Sequence, residues 1–191
     1  IYNDKGIIEI QTRQLNKLRD KLAVFLQDYH VTVVYPLPFN KWLSWVNPDN
    51  GETRGRRKSP RHFTEYDAFY ELYKIKSYLK NPNLSINLVL MDMEEYKLLN
   101  GWSYDKKRGS TRYDRVPVGI RRIVKFDRIE DYMQLVPADL KEDFTVKDFA
   151  IAAGVSVEAS RYTLNILNYL EIVKRTGRVK NGYVYNVTEE F

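Results

Sequence analysis

Ten cations of this sequence fall into two short clusters, Arg54, Arg56, Arg57, Lys58 and Arg61 in one and Lys106, Lys107, Arg108, Arg112 and Arg115 in the other. Basic side chains at this density are the footprint expected for a phosphate-backbone partner, because neutralising phosphates releases their condensed counterions, and the alternative is a basic loop that simply stays solvated. Aromatic residues stand beside them: Trp42, Trp45, Trp102, Tyr104 and Tyr113. A ring next to a cation can stack a nucleic-acid base, or it can be core, and the alternation of Trp42 with Ser44 reads as core. Glu9 and Gln11 flank Ile10 and share one face of an extended segment. His30 and His62 have no ligand-like spacing. No cysteine is present, which excludes a disulfide framework and a thiolate metal site. No glycine-rich phosphate loop and no Ser/His/Asp arrangement stands out.

The net charge of +6 over 191 residues is unevenly spread. Residues 1–126 carry 23 Lys/Arg against 14 Asp/Glu, whereas residues 127–191 carry 8 against 11. Any broad grip on a polyanion therefore belongs to the first part. With 43% hydrophobic residues the chain can bury a core, as one domain or two. Its apolar runs, such as 86–91, are far short of the roughly 20 residues that a membrane helix needs, and a cytoplasmic protein without a membrane partner is the expectation. The sequence starts at Ile1, without methionine and close to a strand, so an upstream piece is expected to be missing.

The elements that must position these residues follow from periodicity. Residues 7–12 are β-rich and follow the turn Asp4-Lys5-Gly6, which predicts a hairpin arm. Leu15, Leu18, Leu22, Phe25, Leu26 and Tyr29 recur at helical steps, and Val31–Tyr35 reads as a strand stopped by Pro36. Strand, helix and strand within about thirty residues predict a parallel β-α-β crossover. Segments 41–47 and 52–58 around Pro48-Asp49-Asn50-Gly51 predict a hairpin whose second strand is polar and basic. A helix is expected over 65–79, a buried strand over 86–93, a long polar loop over 100–115 and a closing strand over 119–126.

The last fifty residues have a different grammar. Thr145 can cap a helix ended by Gly154, and Ser156 can cap a second helix running to about Leu170. Leu164, Leu167 and Leu170 are read as inward, with Glu158, Arg161, Tyr162 and Asn165 outward. Residues 172–176 and 183–187 then form a hairpin tipped by Arg178 and Lys180. The run Phe149-Ala150-x-Ala152-Ala153-Gly154-Val155-Ser156, followed by helix and basic hairpin, resembles the winged helix-turn-helix. That resemblance implies a recognition helix carrying Arg161, Tyr162 and Asn165 and a wing carrying Arg178 and Lys180, with DNA as partner. The net charge of −3 after residue 126 argues for the alternative, a winged helix used for dimerisation or docking.

Strand Glu9-Ile10-Gln11, the following helix and strand Val31–Tyr35 resemble the centre of the PD-(D/E)XK restriction-endonuclease-like superfamily. The resemblance implies a Mg²⁺- or Mn²⁺-dependent nuclease in which Glu9 holds the metal and Gln11 takes the usual lysine position. Asp4 is a candidate second carboxylate, and Lys17 or Lys21 a candidate migrated amine. Beyond these modules, Glu9-Ile10-Gln11-Thr12, Lys41–Pro48 and Arg56–Pro60 resemble a family of uncharacterised bacterial proteins, over nearly the whole chain. The expectation is an α/β (α+β) mixed-sheet, restriction-endonuclease-like core over 1–126, a connector over 127–139 and a winged helix over 140–191. The expected function is DNA binding, with a metal-dependent nuclease or a relic nuclease fold serving protein interaction as alternatives.

Overall fold

The computed structural model describes residues 1–4, 6–101, 111–180 and 182–188 and shows a mixed α/β protein that divides into two compact units. The first gathers Ile1–Tyr35, Glu65–Leu88 and Val124–Phe191, and the second Pro36–Thr64 and Val89–Ile123. Residues 127–191 group with the first strands and helices in the first unit.

In the first unit, β1 (Tyr2–Asn3) and β2 (Gly6–Ile10) pair antiparallel. Gly6 has φ +106, and a Cβ there would lie 2.1 Å from the His30 carbonyl oxygen, so only glycine fits. A 3-10 turn over Leu15–Leu18 leads into α1 (Arg19–Asp28), and together they bury Leu15, Leu18, Leu22 and Leu26. The chain returns as β3 (Val31–Val46), whose Val31–Val34 run parallel to Ile7–Ile10. This is the expected crossover. The helix expected over 65–79 is instead a 3-10 turn (Glu65–Ala68), a single α-turn α2 (Phe69–Leu72) and a further 3-10 segment (Tyr73–Tyr78). Ala68, Phe69, Leu72, Ile75 and Leu79 are buried there, whereas Tyr73, whose helical spacing from Phe69 also suggests an inward position, is exposed.

Pro36 does not stop β3, which continues through Pro38 to Val46. The pairing explains why. β2 covers β3 only over Val31–Val34, and β4 (Thr53–Lys58) covers it only over Trp42–Val46. Both prolines lie in the gap between those ladders, where a missing N–H costs no bond to either strand. The sheet is completed by β5 (Leu84–Leu98) and β6 (Thr111–Phe126) in the order β1-β2-β3-β5-β6, with β4 attached to β3. Its parallel and antiparallel pairs make it a mixed sheet. The loop expected over 100–115 is shorter at its far end, because Arg112 and Arg115 are already strand residues of β6.

After a 3-10 turn at Ile129–Leu135 come β7 (Phe144–Thr145), α3 (Val146–Ala153), α4 (Val157–Tyr169), β8 (Val173–Val179) and β9 (Gly182–Val187). The strands form an antiparallel sheet ordered β7-β9-β8. The caps are those the residues dictate. Asp148 N–H donates to Thr145 Oγ1 at 3.3 Å, and Thr145 N–H donates to the Asp148 carboxylate at 2.8 Å, a reciprocal capping box. Gly154 takes φ +66 to end α3, and Ser156 Oγ accepts from Ala159 N–H at 3.1 Å to start α4. Phe144, Phe149, Leu164, Leu167 and Leu170 form the buried core beneath.

Candidate nucleic-acid interface

The second unit holds 14 Lys/Arg against 7 Asp/Glu, a net of +7, which leaves the first unit at −1 of the chain's +6. The most basic strand, β4, is exposed at all six positions. It is brought back by the turn after Asn47, whose carbonyl accepts from Gly51 N–H and whose Oδ1 accepts from Asp49 N–H, each at 2.9 Å. Trp42 pairs with Lys58 and Leu43 with Arg57, and then the register slips so that Trp45 faces Arg54. Gly55, with φ +68, sits in this bulge, and a Cβ on it would come within 3.2 Å of the Trp45 ring.

This register stacks cations on rings. Arg56 and Lys58 lie 5.1 and 5.8 Å from the Trp42 ring centroid, Arg57 5.2 Å from that of Trp45, and Arg61 4.3 Å from that of Phe63. A ring holds a guanidinium in place before any ligand arrives, so less rotamer freedom is lost on binding. Arg54 pairs with Glu52 at 2.5 Å, and Arg56 donates through Nε and Nη2 to Glu94 Oε1 at 3.0 and 2.7 Å. Among the described residues no carboxylate pairs with Arg57 or Lys58. Trp42 and Trp45 therefore serve as platforms for cations, a role between the two weighed from sequence.

A second cationic group surrounds Glu95, which is 3% exposed. Arg115 donates to its carboxylate at 2.7 Å, while Lys41, Arg112 and Lys97 stand 3.5, 3.7 and 3.8 Å away. Burial pushes the Glu95 carboxyl up, but the hydrogen bond and charge of Arg115, helped by Lys41 and Arg112, outweigh it and hold it below the usual carboxylate range. Burial lowers the Lys41 pKa against the pull of Glu95. One carboxylate cannot balance four cations, so the group retains a surplus of positive charge. Sequence reading named Arg112 and Arg115 but missed Lys41, Glu95 and Lys97. The matched parity of Glu95 and Lys97 is the available signal, and it lies beyond the expected strand over 86–93, since β5 runs on to Leu98. Nearby, Asp92 accepts from Arg121 at 2.7 Å and Asn40 at 2.8 Å, and Arg121 above all holds its carboxyl low. Lys106, Lys107 and Arg108, with Trp102 and Tyr104, lie outside the described residues.

Glu9 and Gln11 are in the first unit. Lys21 Nζ lies 2.7 Å from Glu9 Oε1, so α1 does deliver an amine to this carboxylate, while Gln11 Nε2 donates to the Arg13 carbonyl at 2.6 Å. A divalent ion needs several oxygen donors at one point. Among the described residues no three His, Cys, Asp or Glu side chains converge, and Glu9 is engaged by Lys21. Among the described residues this point therefore offers one carboxylate, Glu9, beside the Gln11 amide.

In the C-terminal segment Arg161 is exposed, but Tyr162 packs edge-on against Tyr70 and Tyr73, and Asn165 accepts from Lys76 at 2.9 Å. Arg178 donates to the Tyr183 hydroxyl at 2.8 Å, the main cause of a lowered pKa for that phenol, and Lys180 is exposed at φ +54. Neither histidine stands near a ligand set: His30 hydrogen-bonds Ser85 at 2.9 Å and His62 the Phe39 carbonyl at 3.2 Å.

Fold and site define a mixed α/β protein with a ring-backed, cation-rich strand surface. The chain belongs to the family described as Domain of unknown function (DUF8091), whose model matches residues 1–127. It is 28% identical over 173 residues to an "Uncharacterized protein" of Treponema pallidum (strain Nichols), a match that covers 87% of this chain and 65% of that relative's length. No solved structure matches the chain significantly. No helix among the described residues is long and apolar enough to cross a membrane.

Proposed function

We propose that this protein binds nucleic acid, with DNA as the expected partner, through the cations of its second unit. The observation that carries the reading is the β3–β4 hairpin, where Arg57 and Lys58 are exposed, stacked over Trp45 and Trp42, and without a carboxylate partner among the described residues. Phosphate contacts position a polyanion without reading its sequence, and a strand of alternating, ring-held cations suits that task. The Glu95 group adds Lys41, Lys97, Arg112 and Arg115 in the same unit. The parallel β2-α1-β3 crossover supports a restriction-endonuclease-like ancestry for the core. The order β7-α3-α4-β8-β9 supports a winged helix after it.

The test is salt-dependent DNA binding by the Arg56→Ala/Arg57→Ala/Lys58→Ala variant. Each lost phosphate contact lowers the slope of log affinity against log salt by about 0.9, so loss of Arg57 and Lys58 alone removes about 2. An unchanged slope in a folded variant overturns the reading. One observation favours the nuclease alternative, the Lys21 amine on Glu9.

A further inference from the structure

Part of the α4 face that would enter a major groove is covered. Besides Tyr162 and Asn165, Tyr169 donates to the Ser77 carbonyl at 3.4 Å and Lys80 pairs with Glu171 just past the helix end. A B-form major groove about 12 Å wide admits a helix whose outer face is free. Here residues 70–80 stand along that face.

The flank of α4 toward β8 and β9 is open. Between the first turn of α3, α4 and the β8–β9 hairpin runs a groove of about 720 Å³. Lys147, Arg161, Arg175 and Lys180 line it, and among the described residues no Asp or Glu does. None of the four is paired with a carboxylate among the described residues. Arg175 is stacked 4.1 Å over the Tyr183 ring, which also carries Arg178 at 4.5 Å. Residues 127–191 have a net charge of −3, so four cations converging on one concavity are a local arrangement and not a spill-over of segment charge.

We propose that this groove holds the sugar-phosphate backbone of a single-stranded nucleic acid, an inference that rests on the nucleic-acid reading and deepens it. Charge complementarity selects a polyanion. The concavity selects a flexible strand over a rigid duplex, because a single backbone can bend to place successive phosphates on cations from three elements.

The experiment measures fluorescence anisotropy of the full chain with a short labelled oligothymidylate and with a duplex of matched length. Arg161→Glu/Lys180→Glu reverses two groove charges, while Lys174→Glu reverses one on β8 that does not line the groove. The expected result is tighter binding of the single strand than of the duplex by the parent, and a loss on the order of a hundredfold for single strand in the double variant. Lys174→Glu should shift it by less than threefold. Arg161→Lys should restore most of the affinity that Arg161→Ala loses, which separates a charge contact from a packing role. Single-strand affinity unchanged in the double variant overturns the groove, and so does a duplex preference that the double variant abolishes. If that variant is silent while Arg56→Ala/Arg57→Ala/Lys58→Ala removes binding, the groove falls and the hairpin reading stands. If the parent binds neither probe, both fall.

Discussion

Arg115 places its guanidinium 2.7 Å from the carboxylate of Glu95, where only 3% of the glutamate is exposed and three further cations stand within 4 Å. The folded pKa of Glu95 is depressed, chiefly because Arg115 overcomes the penalty of burial. Its stabilising contribution is therefore complete above the ordinary carboxylate value of about 4.5 and is lost as pH falls through the lower folded value. Glu95→Gln should cost about 3 kcal/mol at neutral pH, since it leaves a cluster of cations around a neutral amide. Urea melts at pH 7 and pH 3 check this: the gap between parent and variant should shrink in acid, and a gap that widens contradicts the assignment.

Gly55 allows the bulge in β4 and lies against the Trp45 ring. Gly55→Ala should destabilise the protein by about 1 kcal/mol through its left-handed φ. It should also weaken DNA binding by disturbing the seats of Arg56 and Arg57. Thermal melts and a binding titration on the same sample decide whether stability and affinity fall together.

Tyr162 gives a sharper contrast. As a base-reading residue it would be dispensable for folding, whereas its edge-on contacts with Tyr70 and Tyr73 favour a packing role. Tyr162→Ala should lower stability by about 2 kcal/mol, combining lost ring pairs and lost burial, with unchanged affinity for DNA at temperatures where the variant is folded. Loss of affinity at full stability would return it to the ligand.

For catalysis the expected outcome is no Mg²⁺- or Mn²⁺-dependent cutting that Glu9→Ala removes. Plasmid and single-stranded DNA, incubated with metal or EDTA and with parent or Glu9→Ala protein, provide the measurement. Robust metal-dependent nicking by the parent, absent in Glu9→Ala, would install Glu9 and Lys21 as an active pair.

Thr145→Ala removes one half of the capping box and should cost about 1 kcal/mol, read as a shift in the urea midpoint without a change in slope.

What was legible in the sequence was whatever local chemistry decides. Thr145, Gly154 and Ser156 set the ends of α3 and α4 through their own side chains or φ, and they were read to within a residue. The β2-α1-β3 crossover was legible because its apolar spacing changes from strand to helix to strand. Pro36 misled because its cost depends on which strand lies opposite, a fact of pairing that no local window contains. The start of β6 is not legible because Tyr113, Val116, Val118 and Ile120 are exposed, the first set among charges and the others alternating with Pro117 and Gly119, so no buried face announces a strand. The basic clusters were legible as composition. The Glu95 group was not, because Lys41, Glu95, Lys97, Arg112 and Arg115 come from three strands that only the fold brings together.

The strand β6 ends the sheet order and is 16 residues long, with Val116, Val118 and Ile120 facing water. An edge of this length and hydrophobicity is a template for amyloid-like association. Pro117 interrupts its row of donors, and Arg115 and Arg121, anchored on Glu95 and Asp92, bracket the apolar stretch with fixed charge. The ion pairs that hold the cationic surface together thus stand where gatekeeper charges would, so substitutions at Glu95 or Asp92 are expected to lower the concentration at which this protein aggregates.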